Sequence, residues 1–210
     1  MQVDRNPFRL GRMRLFLSLL PAKSAGPIRI LDIGGTTQYW RAMQDLWEHL
    51  PLSITIVNLD AEPRDEGVLS VRPGNACNLT EFEDNSFDAV HSNSVIEHVG
   101  HWPEMAAMAG EVRRLAPTYY LQTPNYWFPV EPHYRALGYH WLPESARAAL
   151  LTRWRLGFRG PSPTFDAAMR DVQTVNLLTS RQLKALFPDA NIQSERVLGW
   201  PKSLIAVRRA

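Results

Sequence analysis

The chain has 210 residues, of which 45% are hydrophobic and 21% are charged. These proportions exclude an intrinsically disordered protein, and the length suits one domain with its own core. A net charge of +2 is too small to indicate a nucleic-acid-binding protein. The single cysteine, Cys77, excludes an internal disulfide and a four-cysteine zinc site. We therefore expect one cytoplasmic domain covering residues 1–210.

The N-terminal segment, residues 1–24, is predicted to form a helix. Its apolar residues recur at helical spacing, which favours an amphipathic helix packed on the domain. Arginines surround this apolar face, so the alternative is a helix that lies on a membrane surface. The apolar run is too short for a signal peptide or a transmembrane helix. The apolar positions are Phe8, Leu10, Met13, Phe16, Leu17 and Leu20.

Strand-like and helix-like stretches alternate from residue 28 to residue 122, which predicts a mostly parallel sheet with right-handed crossovers. Near the C-terminus, Thr179 is predicted to cap a helix over 181–187. The last two strands, at 192–198 and 203–207, are joined by four residues, and so short a link allows only an antiparallel pair. The other predicted strands are 28–33, 54–59, 68–71, 87–92 and 118–122, and the predicted helices between them are 37–50 and 103–115.

An aromatic insertion is predicted at residues 124–178, after the fifth strand. Residues 119–141 hold eight of the 21 aromatic side chains. The prolines at positions 124, 129, 132 and 143 prevent one long helix here. A short helix is expected around 144–154. Because loops at the carboxyl ends of parallel strands form the ligand crevice, the insertion is either a lid over a ligand or merely the core of a long loop.

Two local patterns suggest a nucleotide-like ligand. Asp32 ends the first strand and is followed by Gly34 and Gly35, which let the backbone turn sharply and approach a ligand closely. Asp60 follows the second strand, where a carboxylate can accept hydrogen bonds from both hydroxyls of a ribose. Each pattern alone is also consistent with an ordinary tight turn or a solvated loop acid.

The most specific segment is residues 74–99, which reads GNACNLTEFEDNSFDAVHSNSVIEHV. It resembles class I S-adenosylmethionine-dependent methyltransferases, in particular the small-molecule branch with the pattern D-A-x-x-L-P-F-x-D-x-S-F-D-x-V-x-S-x-x-V-I-E-H-V. The resemblance covers roughly residues 28–125. It implies a Rossmann-like α/β fold, a seven-stranded, mostly parallel sheet with an antiparallel edge strand and helices on both faces, and S-adenosyl-L-methionine as the cofactor.

The resemblance also implies residue roles. Asp32 would lie near the amino-acid end of the cofactor, with the turn Gly34, Gly35 and Thr36 beneath it. Asp60 would hold the ribose, Asn75 and Ala76 would contact the adenine, and Ser92 and Asn93 would border the methionine part. Three positions depart from the pattern: Thr36 and Gln38 replace loop glycines, which narrows the freedom of the backbone, and Asn75 replaces an aspartate.

The chemistry implied is in-line methyl transfer to a small-molecule, glycan or lipid-linked acceptor, which needs neither a metal nor a covalent intermediate. No clustered metal ligands are evident in the sequence. If the acceptor is a hydroxyl, a general base would help, and His133 in the insertion is preferred over His98 and His101. Two alternatives remain: a catalytically silent cofactor-binding protein, and a nicotinamide dehydrogenase, which the absence of a full G-x-G-x-x-G disfavours.

Overall fold

Strands of one large sheet organise the computed structural model, which describes residues 5–22 and 25–210. In chain order the strands are β1 (Ile28–Ile33), β2 (Leu52–Asn58), β3 (Arg64–Glu66), β4 (Leu69–Pro73), β5 (Ala89–Asn93), β6 (Thr118–Pro124), β7 (Val130–Glu131), β8 (Ala136–Leu137), β9 (Asn191–Val197) and β10 (Trp200–Arg208). Eight of them form the large sheet, while β7 and β8 pair separately.

The order across the large sheet is β3-β4-β2-β1-β5-β6-β10-β9. Its five inner strands, from β4 to β6, run parallel, and β10 and β9 follow as an antiparallel pair. The predicted mostly parallel sheet with an antiparallel edge is therefore confirmed, but it has eight strands rather than seven. The additional strand, β3, pairs antiparallel with β4 at the other edge. Its residues Arg64–Glu66 are all charged, so they carry no apolar alternation that would have predicted a strand.

Helices α1, α2 and α3 cover one face of this sheet, and α4 and α7 cover the other. The helices of the described chain are α1 (Pro7–Leu19), α2 (Thr37–Ala42), α3 (Gln44–Trp47), α4 (Trp102–Leu115), α5 (Glu144–Arg153), α6 (Phe165–Gln173) and α7 (Ser180–Leu186), with 3-10 turns at Ile96–His98 and Tyr139–Trp141. Apolar side chains alternate along β1: Ile28 and Ile30 pack with α1, α2 and α3, whereas Leu31 and Ile33 pack with α4 and α7. This two-residue alternation divides the core into two layers.

The single helix predicted over 37–50 is wrong, because the chain forms α2 and α3 with a break at Met43. Met43 has φ −110° and ψ 13°, outside the helical range, and its side chain is fully buried. The break lets Trp40 and Trp47 pack against each other in one apolar layer. The Trp47 indole N–H donates to the Trp40 carbonyl at 2.9 Å, and the same carbonyl also accepts from the Met43 N–H at 3.1 Å.

The N-terminal helix is packed on the domain, as predicted. Met13 and Phe16 of α1 are fully buried, and the Phe16 ring contacts the rings of Trp40, His91 and Tyr120. Its apolar face is thus covered by the sheet. Residues 1–4 and 23–24 of the predicted helix lie outside the described residues. Within the described part of the chain, no helix is both long enough and apolar enough to cross a membrane.

The segment predicted as an insertion has a small core of its own. After β6 the chain forms the β7–β8 hairpin and then α5, which matches the helix expected around 144–154. Helix α6 follows and was not predicted from the sequence. Their apolar side chains pack together separately from the two layers of the sheet, and they are Tyr134, Tyr139, Ala148, Leu151, Ala168 and Val172. The segment rejoins the sheet where Leu178 bridges to Asn125.

Removing the Phe16 ring should test how firmly α1 is docked. We expect Phe16→Ala to lower the free energy of unfolding by about 3–5 kcal/mol, because it leaves a ring-sized cavity beneath Trp40 and Tyr120. Urea denaturation measures this, with Arg14→Ala on the exposed side of α1 as the control, expected within about 0.5 kcal/mol of wild type. Equal stability of the two variants would mean that α1 is not anchored through this face.

Candidate active site

A cavity of about 600 Å³ opens at the carboxyl ends of β1, β2 and β4. The predicted ligand-binding residues Gly34, Gly35, Thr36, Asp60, Asn75 and Ala76 all line it. These residues come from three separate loops, and the parallel order of the strands brings the loops to one edge. Leu59, Glu62 and Arg64 also line the cavity and were not singled out from the sequence. Leu59 is 70% exposed, an apolar side chain left uncovered at the cavity wall.

The turn after β1 requires both glycines. Gly34 has φ +75°, and a Cβ added there would lie 2.4 Å from a methyl carbon of Val95. A Cβ on Gly35 would lie only 1.6 Å from Asp32 Oδ2. Thr36, which replaces a loop glycine of the family pattern, has φ −138°, an extended conformation that any residue adopts. The turn therefore does not need the backbone freedom of a glycine at position 36. The Thr36 hydroxyl caps α2 by accepting from the Tyr39 N–H at 3.1 Å.

Asp32 is completely buried and both of its carboxylate oxygens are engaged. Oδ2 accepts from the Trp40 indole N–H at 2.6 Å, and Oδ1 accepts from His91 Nδ1 at 2.7 Å. The His91 ring is stacked between the rings of Tyr39 and Tyr120. Asp32 thus joins β1, α2 and β5, and its carboxylate occupies the space that a side chain at position 35 would need.

A smaller recess of about 180 Å³ adjoins the cavity and shares Gly34, Gly35 and Thr36 with it. Asp32 and Asn93, both predicted to lie near the methionine part of the cofactor, line this recess together with Arg9, Tyr39 and His91. Ser92 is fully buried, and its hydroxyl donates to the Ile33 carbonyl at 3.1 Å. Its hydroxyl is therefore already used in joining β5 to β1.

The loop after β4 presents Asn75 in a fixed orientation. Asn75 Oδ1 accepts from the Cys77 N–H at 3.0 Å, and Asn75 pairs with Asn78 across a short bridge. The amide of Asn58, at the end of β2, donates to the Gly35 carbonyl at 2.5 Å and so links the two loops on either side of the cavity. The cavity wall is held by such contacts without any ligand.

His133, the predicted general base, lines neither the cavity nor the recess. Its Nδ1 donates to Glu131 Oε1 at 2.7 Å, and its Nε2 lies 3.1 Å from Nε2 of His98, which does line the cavity. His98 Nδ1 in turn donates to the Thr174 carbonyl at 3.0 Å. His133 therefore reaches the cavity only through His98.

Glu97 lies beside this histidine pair. Its side chain is fully buried, and burial raises the pKa of Glu97 to about 7. Oε2 accepts from the Thr123 hydroxyl at 2.9 Å, whereas Oε1 has no hydrogen-bond partner among the described residues. Ligand atoms of Glu97, His98 and His133 lie within 4.8 Å of one another. The sequence shows no cluster of metal ligands at this place, because His133 lies 35 residues after His98 and is brought beside it only by the fold.

Comparison with known proteins identifies the family of the chain. A family model described as a methyltransferase domain matches residues 5–196, almost the whole chain. The chain belongs to the methyltransferase-domain family. The resemblance to S-adenosylmethionine-dependent methyltransferases, inferred from residues 74–99, is thereby confirmed, and with it the prediction of an enzyme. No curated protein matches the sequence of this methyltransferase.

Solved structures share the fold of the methyltransferase at low sequence identity. The Burkholderia thailandensis 1,6-didemethyltoxoflavin-N1-methyltransferase, with 1,6-didemethyltoxoflavin and S-adenosylhomocysteine bound, has a TM-score of 0.56 at 13% identity over 97% of this chain and 76% of that one. The N-terminal domain of EvdMO1, in the presence of S-adenosylhomocysteine and D-fucose, has 0.55 at 20% identity, over 99% and 84%. A methyltransferase in complex with the Haloferax volcanii Trm112 methyltransferase activator has 0.55 at 13% identity, over 97% and 90%.

The glycine turn of the methyltransferase should not tolerate a single added carbon. We expect Gly35→Ala to cost about 2–6 kcal/mol of unfolding free energy, because Asp32 must move away from Trp40 and His91 and two buried donors then lose their acceptor. Gly110→Ala is the matched control: Gly110 lies in α4 with open space around its Cβ, so the change should stabilise the protein by up to about 1 kcal/mol. Wild-type stability of Gly35→Ala in urea denaturation would contradict the role given to Asp32.

Proposed function

We propose that this methyltransferase transfers a methyl group from S-adenosylmethionine to a small-molecule acceptor, either free or linked to a glycan or a lipid. One observation carries the proposal: the Gly34–Thr36 turn, the Asp60 carboxylate and the Asn75 amide line one cavity at the carboxyl edge of a parallel sheet. Its volume of about 600 Å³ is within the usual range for small-molecule and cofactor sites.

The cavity residues fit the adenosyl part of the cofactor. Asp60 supplies an exposed carboxylate for two ribose hydroxyls, and Asn75 and Ala76 supply polar and apolar contacts for an adenine edge. Leu59 offers an apolar surface against which a flat ring would pack. Gly34 and Gly35 keep the turn free of side chains, so that a ligand can approach the backbone closely.

The methionine part would lie over the recess beside Asn93. Because both oxygens of Asp32 already accept hydrogen bonds inside the protein, we expect Asp32 to act mainly through its negative charge and through the shape of the turn. Ser92 would contribute by holding β5 against β1, through the hydrogen bond from its hydroxyl to the Ile33 carbonyl. The cofactor supplies an electrophilic methyl group, whose bond to sulfur breaks as the bond to the acceptor forms.

A third cavity, of about 350 Å³, is the proposed acceptor pocket. It shares Arg9 with the recess and lies between α1, the start of the insertion and β10. Its described lining includes four cationic side chains and no carboxylate: Arg9, Arg12, Arg135 and Lys202. Arg12 is neutralised from behind by Glu195, at 2.5 Å, but Arg135 and Lys202 rest on the rings of Phe158 and Phe8. Such a lining favours an acceptor that carries a carboxylate or a phosphate.

The insertion over residues 124–178 is proposed to act as the lid of this pocket. Phe128, Val130, Pro132 and Arg135 contribute to the pocket wall, so this segment encloses an acceptor and excludes water. His133 is proposed to assist transfer through His98 rather than by direct contact, since His98 is the ring that lines the cofactor cavity. A cytoplasmic location remains part of the proposal.

Replacing Asp60 tests the position of the ribose. We expect Asp60→Ala to weaken binding of S-adenosylmethionine by about 1–3 kcal/mol, the loss of one or two hydrogen bonds to a charged acceptor. Isothermal titration calorimetry measures this, and because Asp60 is exposed the substitution should leave the fold intact. Glu62→Ala is the matched control, an exposed carboxylate on the same cavity wall. If Glu62→Ala weakens binding and Asp60→Ala does not, the ribose lies elsewhere.

A further inference from the structure

The two histidines at the base of the insertion have both Nδ1 atoms occupied. A carbonyl oxygen only accepts hydrogen bonds, so His98 Nδ1 must carry the hydrogen that it gives to Thr174. His133 Nδ1 faces the carboxylate of Glu131, whose side chain is 2% exposed, and it likewise donates. Glu131 is itself fixed, because its other oxygen accepts from the Tyr134 N–H at 2.6 Å. Both rings are thus oriented from behind.

This orientation leaves two Nε2 atoms facing each other at 3.1 Å. In neutral rings with hydrogen on Nδ1, each Nε2 presents a lone pair, and two lone pairs at this distance repel. The arrangement is stable only if a positive charge lies between them. That charge is either one shared proton, which makes the pair an imidazole and an imidazolium, or a metal ion.

Glu97 distinguishes the two occupants. A proton shared between two nitrogens serves only those nitrogens, and the buried Oε1 of Glu97 would still lack a partner. An unpaired buried carboxylate oxygen is costly. A metal ion, in contrast, accepts two imidazole nitrogens and a carboxylate oxygen together, and one ligand atom from each of Glu97, His98 and His133 lies within 4.8 Å of the other two. We propose that Glu97, His98 and His133 bind one divalent transition-metal ion of the zinc class.

Distances and surroundings agree with such a site. Two nitrogens bound tetrahedrally to Zn²⁺ lie roughly 3.3 Å apart for Zn–N bonds of about 2.05 Å, so the histidine pair needs only a small opening. Each ligand is held by an outer partner: His98 by the Thr174 carbonyl, His133 by Glu131, and Glu97 by the Thr123 hydroxyl. Histidines that bind metals are typically tied by their second nitrogen to a carbonyl or a carboxylate in this way.

The ion would keep a coordination position open towards the cofactor cavity, because His98 lines that cavity. Three protein ligands with an open position are typical of catalytic rather than structural zinc sites. An oxygen of a ligand that enters the cofactor cavity beside His98 would bind at this position, and its pKa would be lowered. This role rests on the proposed function, whereas binding of the ion does not. Imidazole ligands favour zinc-like ions over Mg²⁺ or Ca²⁺.

Metal titration of the full, tag-free chain tests the site. The protein is stripped with a chelator and titrated with Zn²⁺ by calorimetry, and Co²⁺ is added separately so that its visible absorption bands report the coordination. We expect one ion per chain, binding reduced at least about 100-fold in His133→Ala and Glu97→Gln, and a reduction of about 10- to 100-fold in Glu131→Gln. His49→Ala removes an exposed histidine outside the cluster and should bind as wild type does. Mg²⁺ should not compete.

Binding of S-adenosylmethionine is measured on the same samples, so that the two proposals can fail separately. Absence of Zn²⁺ binding, or binding that His133→Ala and Glu131→Gln leave unchanged, would overturn the metal site and leave a shared proton between the histidines. If cofactor binding persists in that case, the proposed function stands. If His133→Ala does not fold, Glu131→Gln decides between the outcomes. A glutamine at position 131 still accepts from the Tyr134 N–H, but the negative charge beside the His133 ring is lost.

Discussion

The Asp32 carboxylate occupies the space that a side chain at position 35 would need, and the shape of the turn at the cavity wall depends on this. With a Cβ at position 35 the two would be 1.6 Å apart. The glycine lets the carboxylate fold back under the turn, where Trp40 and His91 donate to it. One buried group therefore sets the path of the turn, the start of α2 and the spacing of β1 and β5. Asp32 is therefore a buried structural anchor below the carboxyl edge of the sheet.

This anchor has a cost that the surrounding aromatic rings offset. Burial removes the hydration of the Asp32 carboxylate, and the hydrogen bonds from Trp40 and His91 replace part of it. His91 Nε2 and the Tyr39 and Tyr120 hydroxyls are also without hydrogen-bond partners among the described residues. The Tyr39 and Tyr120 rings compensate in part by stacking on His91, with Tyr120 nearly parallel at 5.4 Å. Burial on this scale at the cavity edge suits a site whose shape must exist before the ligand arrives, since preorganisation reduces the ordering cost of binding.

Sequence patterns predicted those parts of the fold that are determined locally. The bounds of β1 were predicted to the residue, and Thr179 caps α7 as predicted, in a capping box with Gln182. The Gly34–Thr36 turn and Asp60 were predicted because each follows a strand, and Asn75 was predicted from the family resemblance. Parallel pairing brings all three to one cavity. The break at Met43 and the cluster of Glu97 with His98 and His133 could not be predicted. The break at Met43 depends on the packing of two tryptophans in one apolar layer. The cluster depends on how the insertion folds back over the sheet.

The last residues of the insertion return to the sheet beside the histidine pair. Asn176 donates its backbone N–H to the Glu97 carbonyl at 2.8 Å and its side-chain amide to the Gly100 carbonyl at 3.0 Å. Together with the contacts of His98 to Thr174 and His133, both ends of the insertion are fastened to residues 97–100. A positive charge between the two rings strengthens this attachment, because it binds a ring of the insertion to a ring of the sheet edge. Binding of the proposed ion and attachment of the insertion to residues 97–100 would be thermodynamically linked, so that each favours the other.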